Sequence, residues 1–482
     1  MRSTVSRILL SGAIVAYLVL AASCWMGIRA AAATTTAAMT TVTNWPLYGH
    51  DLANTRTNRH ETEIDQASVP SLTAGWSKGG LVGVTGTPVV ANGVAYFGDW
   101  TGTLWAVNAR TGQTVWSTKV GGGDFVGSPA LGGRSVYVAI GKTLYALRRS
   151  TGKVLWQTVT NSNPYSQINA SPVVVGNLVF QGTAQFEEVV GHAPFTFRGS
   201  IGAYNATTGR QVWNFFTTPN DATSGAGEGV WSTPAVDTRL GLLYVGDGQN
   251  LDNPSGPLAD SILAINLKTG HLKWSHQFNH PDVFSTASYS GKDADVGASP
   301  NLWTVHGRSM VGVGSKNGTY YAFDRATGKL KWETFLTHGS TFGGVLGSSA
   351  FVDGKIIASS NIGDPASNAT TNQSKVFALN PASGKVLWSK TFAGNVFAPI
   401  SAVHGLAFVG TDAGVMMALN TQNGKTLWSY SAPDKVGGGP SITNGRLLWG
   451  YGFTLFKGPG KGGVISFTVS ASARVHTERG SG

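Results

Sequence analysis

Apolar and polar residues alternate along most of this chain in short runs, the period-2 pattern of strands half buried on one face. One frame of that alternation recurs. Residues 104–116 read LWAVNARTGQTVW, and the same frame returns at 144–156, 201–213, 262–274, 320–332, 376–388 and 416–428. In every copy an Ala stands ten residues before the closing Trp and a Gly four before it, from Ala106 and Gly112 to Ala418 and Gly424. Each copy predicts two strands joined by a turn, with the Gly at the position where only a residue without Cβ takes a positive φ cheaply. Strand repeats at this period predict an all-β chain folded as a β-propeller, with each Trp packed as a spacer between neighbouring blades.

An eighth Trp, Trp76, lacks the Ala and Gly, and residues 463–469 (GVISFTV) look like the first strand of the repeat without its Trp strand. The two halves complement each other. They predict an eight-bladed β-propeller of four-stranded antiparallel blades, closed by pairing the N-terminal strand into the last blade, which removes the exposed sheet edges. Successive Trp intervals are 40, 40, 57, 61, 58, 56 and 40 residues, so four consecutive blades carry insertions, at 181–199, 247–260, 277–297 and 361–374. Three of these fall between the second and third strands of a blade and one between blades. Those connections emerge on one face of an up-and-down blade, so all four should open on one rim and build its site.

Composition sharpens the picture at that rim. The insertions gather Glu187, Glu188, Asp247, Asp252, Asp260, Asp282, Asp293, Asp295 and Asp364, nine of the 24 carboxylates of a chain whose formal charge is +11. Oxygen donors in that number suit a hard cation as well as a solvated loop surface. No block of five Lys or Arg occurs, so the basic excess reads as a solvated surface and not as a nucleic-acid footprint. With 65 glycines and only 12% charged residues, the chain suits many tight turns between short strands in a single domain over 44–469.

Residues 1–33 read as an export signal: Arg2 and Arg7 precede an apolar run over 8–28, and Ala30 to Ala33 offer small residues for cleavage. The run is also long enough to serve as a membrane anchor. Residues 34–43 form a Thr/Ala-rich linker, and 470–482 a disordered basic tail. The expected location is periplasmic or extracellular. Cys24 lies within the leader, so the mature chain would carry no disulfide and no haem attachment motif.

The repeat Ala-x-Asn/Asp-x-x-Thr-Gly-x-x-x-Trp resembles the pyrroloquinoline quinone (PQQ) repeat of eight-bladed quinoprotein dehydrogenases. The opening NWPLYGHDLANTR, residues 44–56, is similar to the N-terminal signature of the polyvinyl alcohol dehydrogenase-like branch. The resemblance implies PQQ and Ca²⁺ as cofactors, an alcohol substrate, and a separate acceptor such as a cytochrome c. Residues 230–250 resemble the segment supplying the aromatic floor, which makes Trp231 the floor and Gln249 or Asn250 a calcium ligand. Residues 186–205 resemble the segment carrying the glutamate ligand, Glu188 or Glu187. KDADVGASPNLW, residues 292–303, implies Asp295 as the base with Asp293 beside it, and residues 314–328 place Lys316 against the quinone oxygens.

Two departures stand out. The usual Gly-Thr-Gly-Asn ending is here Gly246-Asp247-Gly248-Gln249-Asn250, and the vicinal cysteines of the family are missing. Another register through HPDVFS puts Ser285 at the base position. The alternative function is therefore a cofactor-free propeller used for protein binding or envelope assembly. WD40 repeats, Ser hydrolases and zinc enzymes are excluded by their missing motifs.

Overall fold

The computed structural model describes residues 43–470, apart from 124–125, 188–190, 192–193, 221–224, 253–254, 283, 286–287, 290–291 and 455–460. The export segment, most of the linker and nearly all of the tail lie outside the described residues. Eight antiparallel blades of four strands form the ring, with a fifth short strand, Ser166–Gln167, beside Leu178–Gln185 in blade 3. Blade 1 runs from its innermost strand outward as Val89–Ala91, Val94–Gly98, Thr103–Asn108 and Thr114–Lys119. Blades 2 to 7 repeat that order, with innermost strands at Ala130–Gly132, Val173–Val175, Ala235–Asp237, Asn301–Val305, Ala350–Val352 and Ser401–Val403.

Blade 8 closes the ring as expected. Its inner three strands are Ser441–Thr443, Arg446–Tyr451 and Gly462–Val469, and its outermost is Leu72–Leu81 from the other end of the chain. The register runs from Leu72 opposite Val469 to Leu81 opposite Gly462. Burial falls outward along each blade: Val89–Ala91 is wholly buried, whereas Thr114–Lys119 is mostly exposed. The apolar faces of neighbouring blades meet. Tyr96 and Leu104 of blade 1, for example, share a core with Leu131 and Val138 of blade 2.

The repeat residues now have individual reasons. Each Trp donates its indole N–H to a carbonyl of the next blade, as Trp116 does to Arg149 at 2.8 Å, Trp274 to Arg325 at 3.2 Å and Trp428 to Leu72 at 3.0 Å. From Trp76 to Trp388, the turn Gly of that next blade lies beneath the ring. A Cβ on Gly152, whose φ is +71, would sit 2.4 Å from Trp116 Cε3. The Asn of the turn accepts two backbone N–H groups, as Asn108 does from Arg110 at 2.9 Å and Thr111 at 3.0 Å. Gly152→Ala combines positive-φ strain with overpacking and should cost on the order of 2–3 kcal/mol, read from the urea midpoint.

Residues 45–58 form a hoop inside the ring that sequence periodicity did not suggest. Trp45 pairs with Val90 of blade 1. The carbonyls of Pro46, Leu52, Ala53, Thr55 and Arg56 then accept N–H groups from Leu131, Val236, Leu302, Phe351 and Ala402, at 2.7–2.9 Å. Asn58 continues to the Ile442 carbonyl of blade 8 at 2.8 Å. Blades 1, 2, 4, 5, 6, 7 and 8 are laced together by this one segment.

Arg56 anchors the hoop. It is fully buried, with Nε donating to the Ile400 carbonyl at 2.7 Å, Nη2 to Ser401 at 2.7 Å, and Nη1 to the Tyr48 carbonyl. No carboxylate pairs with it among the described residues, and burial pushes its pKa down to about 10.

A candidate active site at the insertion rim

Connections between second and third strands, and those between blades, converge on one cavity of about 360 Å³. Three of the four insertions line it, at 181–199, 247–260 and 277–297, whereas 361–374 contributes no lining residue. Its floor includes Trp231, held in a segment clamped on both sides. The Val230 N–H bonds to Thr183 of blade 3 at 3.1 Å, and Ser232 Oγ donates to the Gly246 carbonyl of blade 4 at 2.9 Å. Glycines surround the indole. A Cβ on Gly297 would sit 2.1 Å from Trp231, and one on Gly248 would meet Asp295 at 2.8 Å and Trp231 Nε1 at 3.1 Å. The indole fits there only because those positions carry no side chain.

One wall is an ion triad. Lys316 Nζ lies 2.6 Å from Asp293 Oδ2 and 2.8 Å from Asp295 Oδ2, and all three residues are buried. The backbone builds the same arrangement: the Lys316 N–H bonds to the Asp295 carbonyl at 3.0 Å, and Ser315 Oγ to that of Ala294 at 2.7 Å. Asp295 also accepts the Gln249 backbone N–H. Burial pushes Asp293 up to about 8, with Asp295 adding to the shift and Lys316 opposing it. Burial works against the charge of Lys316. The two carboxylates outweigh it and hold the ammonium above its ordinary value.

Behind this wall lies a second group of buried carboxylates. Glu228 is pushed up to about 8 by burial and by repulsion from Asp282, while Thr218 and Arg198 pull the other way. Asp247 and Asp260 are raised by burial and by neighbouring acids, and Asp282 reaches about 6 from burial first. Both oxygens of Asp260 and one of Asp247 are buried without a hydrogen-bond partner. Among the described residues, no three His, Cys, Asp or Glu side chains converge on a single metal-sized point.

Raised carboxylates bind protons in the folded chain that the unfolded chain releases. Stability therefore falls as pH rises from near 4.5, the ordinary value for Glu228, through about 8, its folded value. The urea midpoint is expected to be higher at pH 5.5 than at pH 8, and Glu228→Gln should flatten that slope.

Of the residues singled out in the sequence, Trp231, Lys316, Asp293, Asp295 and Gln249 line the cavity together. Glu187 is turned into its own loop, where it accepts the N–H groups of Thr196 and Phe197 at 3.0 Å. Asn250 staples the neighbouring loop: its N–H bonds to Asp282 at 2.8 Å, and its amide to the Asp252 carbonyl. Glu188 lies outside the described residues, as does the side chain of Ser285. Asp364 is spent on a surface turn, accepting Ala366 N–H at 2.9 Å and Ser367 Oγ at 2.6 Å.

Asn169, Gln185, Phe284, Thr341 and Phe342 also line the cavity and were not singled out. A second hollow of about 320 Å³ shares Asn169, Trp231, Lys316, Thr341 and Phe342 with it and reaches Tyr48 of the hoop. Together they make a slot with an aromatic floor, one cation and amide oxygens, of a size usual for a small-molecule site.

A sequence profile described as glucose/ethanol/alcohol dehydrogenase, β-propeller domain, matches residues 45–334, and one described as outer membrane protein assembly factor BamB matches 366–475. A polyvinylalcohol dehydrogenase of Sphingopyxis sp. is 28% identical over 372 residues, 68% of this chain and 56% of that protein. Quinohemoprotein alcohol dehydrogenase ADH IIB of Pseudomonas putida is 29% identical over 336 residues, 59% of this chain and 46% of that protein. The chain thus spans about half the length of these curated relatives. The crystal structure of quinohemoprotein alcohol dehydrogenase from Comamonas testosteroni superposes with a TM-score of 0.73 at 21% identity, covering 90% of this chain and 81% of that one. That last likeness is one of fold.

Proposed function

Because the chain belongs to the β-propeller family of the PQQ-dependent glucose, ethanol and alcohol dehydrogenases, we propose that it oxidises an alcohol with PQQ bound over Trp231 and passes the electrons to a separate acceptor. The observation that carries this reading is the slot itself: a flat indole in a glycine cradle with the Asp293–Lys316–Asp295 triad at its edge. A planar, polyanionic quinone fits those features, since aromatic faces stack and the buried ammonium offers its charge. Asn169 and Thr341 add hydrogen-bonding groups.

Bound PQQ would supply the two-electron acceptor for the hydride of the alcohol carbon, with Ca²⁺ beside it as a Lewis acid. Asp295 takes the hydroxyl proton. It lies on the cavity wall with Lys316 2.8 Å away, which fixes the orientation of its carboxylate. Asp293 shares the same ammonium and retains its own proton up to about pH 8. Phe284 and Phe342 flank the slot, keep bulk water from the reacting atoms and favour an alcohol with an apolar body.

Ca²⁺ would be held by oxygen donors at the cavity, the side-chain amides of Gln249 and Gln185. The export signal suits a periplasmic or extracellular enzyme, and a separate cytochrome c is the kind of acceptor such an enzyme would use.

The BamB-like match over residues 366–475 favours a second reading, a cofactor-free assembly scaffold. Purified chain supplied with PQQ and Ca²⁺ should reduce an artificial dye in the presence of primary or secondary alcohols. Absence of alcohol-dependent reduction across such a panel would favour the scaffold. Trp231→Ala should weaken PQQ binding by about 10- to 100-fold, the usual worth of one aromatic stack, read from the PQQ dependence of dye reduction.

A further inference from the structure

On the face opposite the quinone rim, between blades 1 and 2, a cleft of about 920 Å³ is lined by Arg134, Arg148 and Arg149, with Tyr96, Val115 and Leu155. No carboxylate lines it, and none of the three arginines is ion-paired among the described residues. Val115 and Leu155 are exposed. Three guanidinium groups beside bare aliphatic surface make an arrangement that solvation alone does not require.

The other blades act as internal controls. Arg325 of blade 5 occupies the place of Arg149: each gives its carbonyl to the Trp of the preceding blade, at 3.2 Å from Trp274 and 2.8 Å from Trp116. Arg325, however, is buried and neutralised. It reaches Asp237 at 2.7 Å and the Trp303 carbonyl at 2.7 Å. In blade 1 the position of Asp237 is taken by Ala91, which pairs across its hairpin with Val94 as Asp237 does with Leu242. Among the described residues the Arg149 guanidinium is left with one hydrogen bond, from Nη1 to the Gly133 carbonyl at 3.2 Å.

Arg148 departs further. In the other six copies of the repeat its position is Asn or Asp: Asn108, Asn205, Asn266, Asp324, Asn380 and Asn420. Those side chains cap their own turn, as Asn205 does by accepting Thr207 and Thr208 N–H at 3.0 Å. Blade 2 alone gives up that local bond and presents a guanidinium instead.

We propose that this cleft binds a small phosphate monoester carrying an apolar group. Arg134, Arg148 and Arg149 take the phosphate oxygens, for which the guanidinium fork is shaped. Val115, Leu155 and the edge of Tyr96 cover the apolar part. The volume suits a small molecule, and the site stands apart from the quinone slot.

Calorimetry at low salt with phenyl phosphate, inorganic phosphate and benzyl alcohol tests it. Saturable one-to-one binding of phenyl phosphate is expected, at least tenfold tighter than inorganic phosphate and weakened by added salt, with no uptake of benzyl alcohol at this cleft. Arg148→Asn restores the residue the other turns use, so it should fold well, keep PQQ-dependent activity and lose at least tenfold in phenyl phosphate affinity. Arg239→Ala, near the neutralised cleft of blades 4 and 5, should change nothing. Lack of saturable binding, equal affinity for inorganic phosphate, or full affinity in Arg148→Asn would each overturn the assignment. None of these outcomes bears on the quinone slot.

Discussion

Lys316→Ala is expected to lower kcat/KM for alcohol oxidation by on the order of 10³-fold and to weaken PQQ binding at the same time. The reason is electrostatic. Lys316 is the one cation among the residues lining the cavity, 2.6 Å from Asp293 and 2.8 Å from Asp295. Its loss leaves two buried carboxylates without a cation, and burial already pushes Asp293 up to about 8. Without the ammonium, negative charge on the pair is no longer offset and repels the anionic quinone, and Asp295 loses the partner that fixes its carboxylate at the cavity wall. Breaking a buried pair in this way should also cost about 3–5 kcal/mol of stability where the acids are ionised, and less where they are protonated. The urea midpoint of the variant should therefore fall more at pH 8 than at pH 5.5. Lys316→Arg keeps a cation there and should recover part of both losses.

Arg56→Ala should be the most damaging change away from the site. The guanidinium donates to the Ile400 and Tyr48 carbonyls and to the Ser401 hydroxyl, and it is stacked 4.6 Å from the Tyr48 ring. Truncation leaves buried acceptors without donors and a hole at the point where the hoop binds blade 7. The expected cost is about 4 kcal/mol, from at least two orphaned acceptors plus the cavity. The hoop also places Tyr48 in the hollow beneath the site, with its hydroxyl 2.6 Å from Ser348. Loss of stability should thus be accompanied by weaker PQQ binding, whereas Gly152→Ala, on the outer wall, should leave PQQ affinity unchanged. Chemical unfolding and PQQ titration of both variants separate the two effects.

The contrast between Gly152 and Tyr48 also explains what could be read from the sequence. The ring was legible because its chemistry repeats. Each Trp from Trp76 to Trp388 needs a carbonyl and a bare glycine on the next blade, so the register of Ala, Gly and Trp is kept seven times and the blade count follows. The hoop occurs once. Its carbonyls bond to the innermost strands one after another, so no period betrays it, and only the resemblance of residues 44–56 to a known signature marked the segment.

The site lies between these cases. Trp231, Asp293, Asp295 and Lys316 were found because local motifs carry them, and the rim was found because insertions break the 40-residue spacing. Asn169 and Phe342 reach the same cavity singly, from connections that no motif marks, while Phe284 lies in the third insertion, where only its neighbour Ser285 drew notice. Gln185 had one faint signal, its place within the blade 3 insertion at 181–199, at the end of the strand Leu178–Gln185. Glu228 sits in a Gly-rich stretch without alternation, so its burial could not be read. Glu187 and Asn250 show the converse: residues of the right type turned into their own loops to satisfy backbone N–H and carbonyl groups.

The most direct measurement is an equilibrium titration of the purified chain with PQQ in the presence of Ca²⁺, followed by tryptophan fluorescence and then by addition of an alcohol. Expected are one PQQ taken up per chain with quenching, uptake reduced at least tenfold in Trp231→Ala, and a shift of the bound cofactor from its oxidised to its reduced spectrum when alcohol is added. No uptake, or uptake that Trp231→Ala leaves unchanged, would contradict the assignment of the rim cavity as a quinone site.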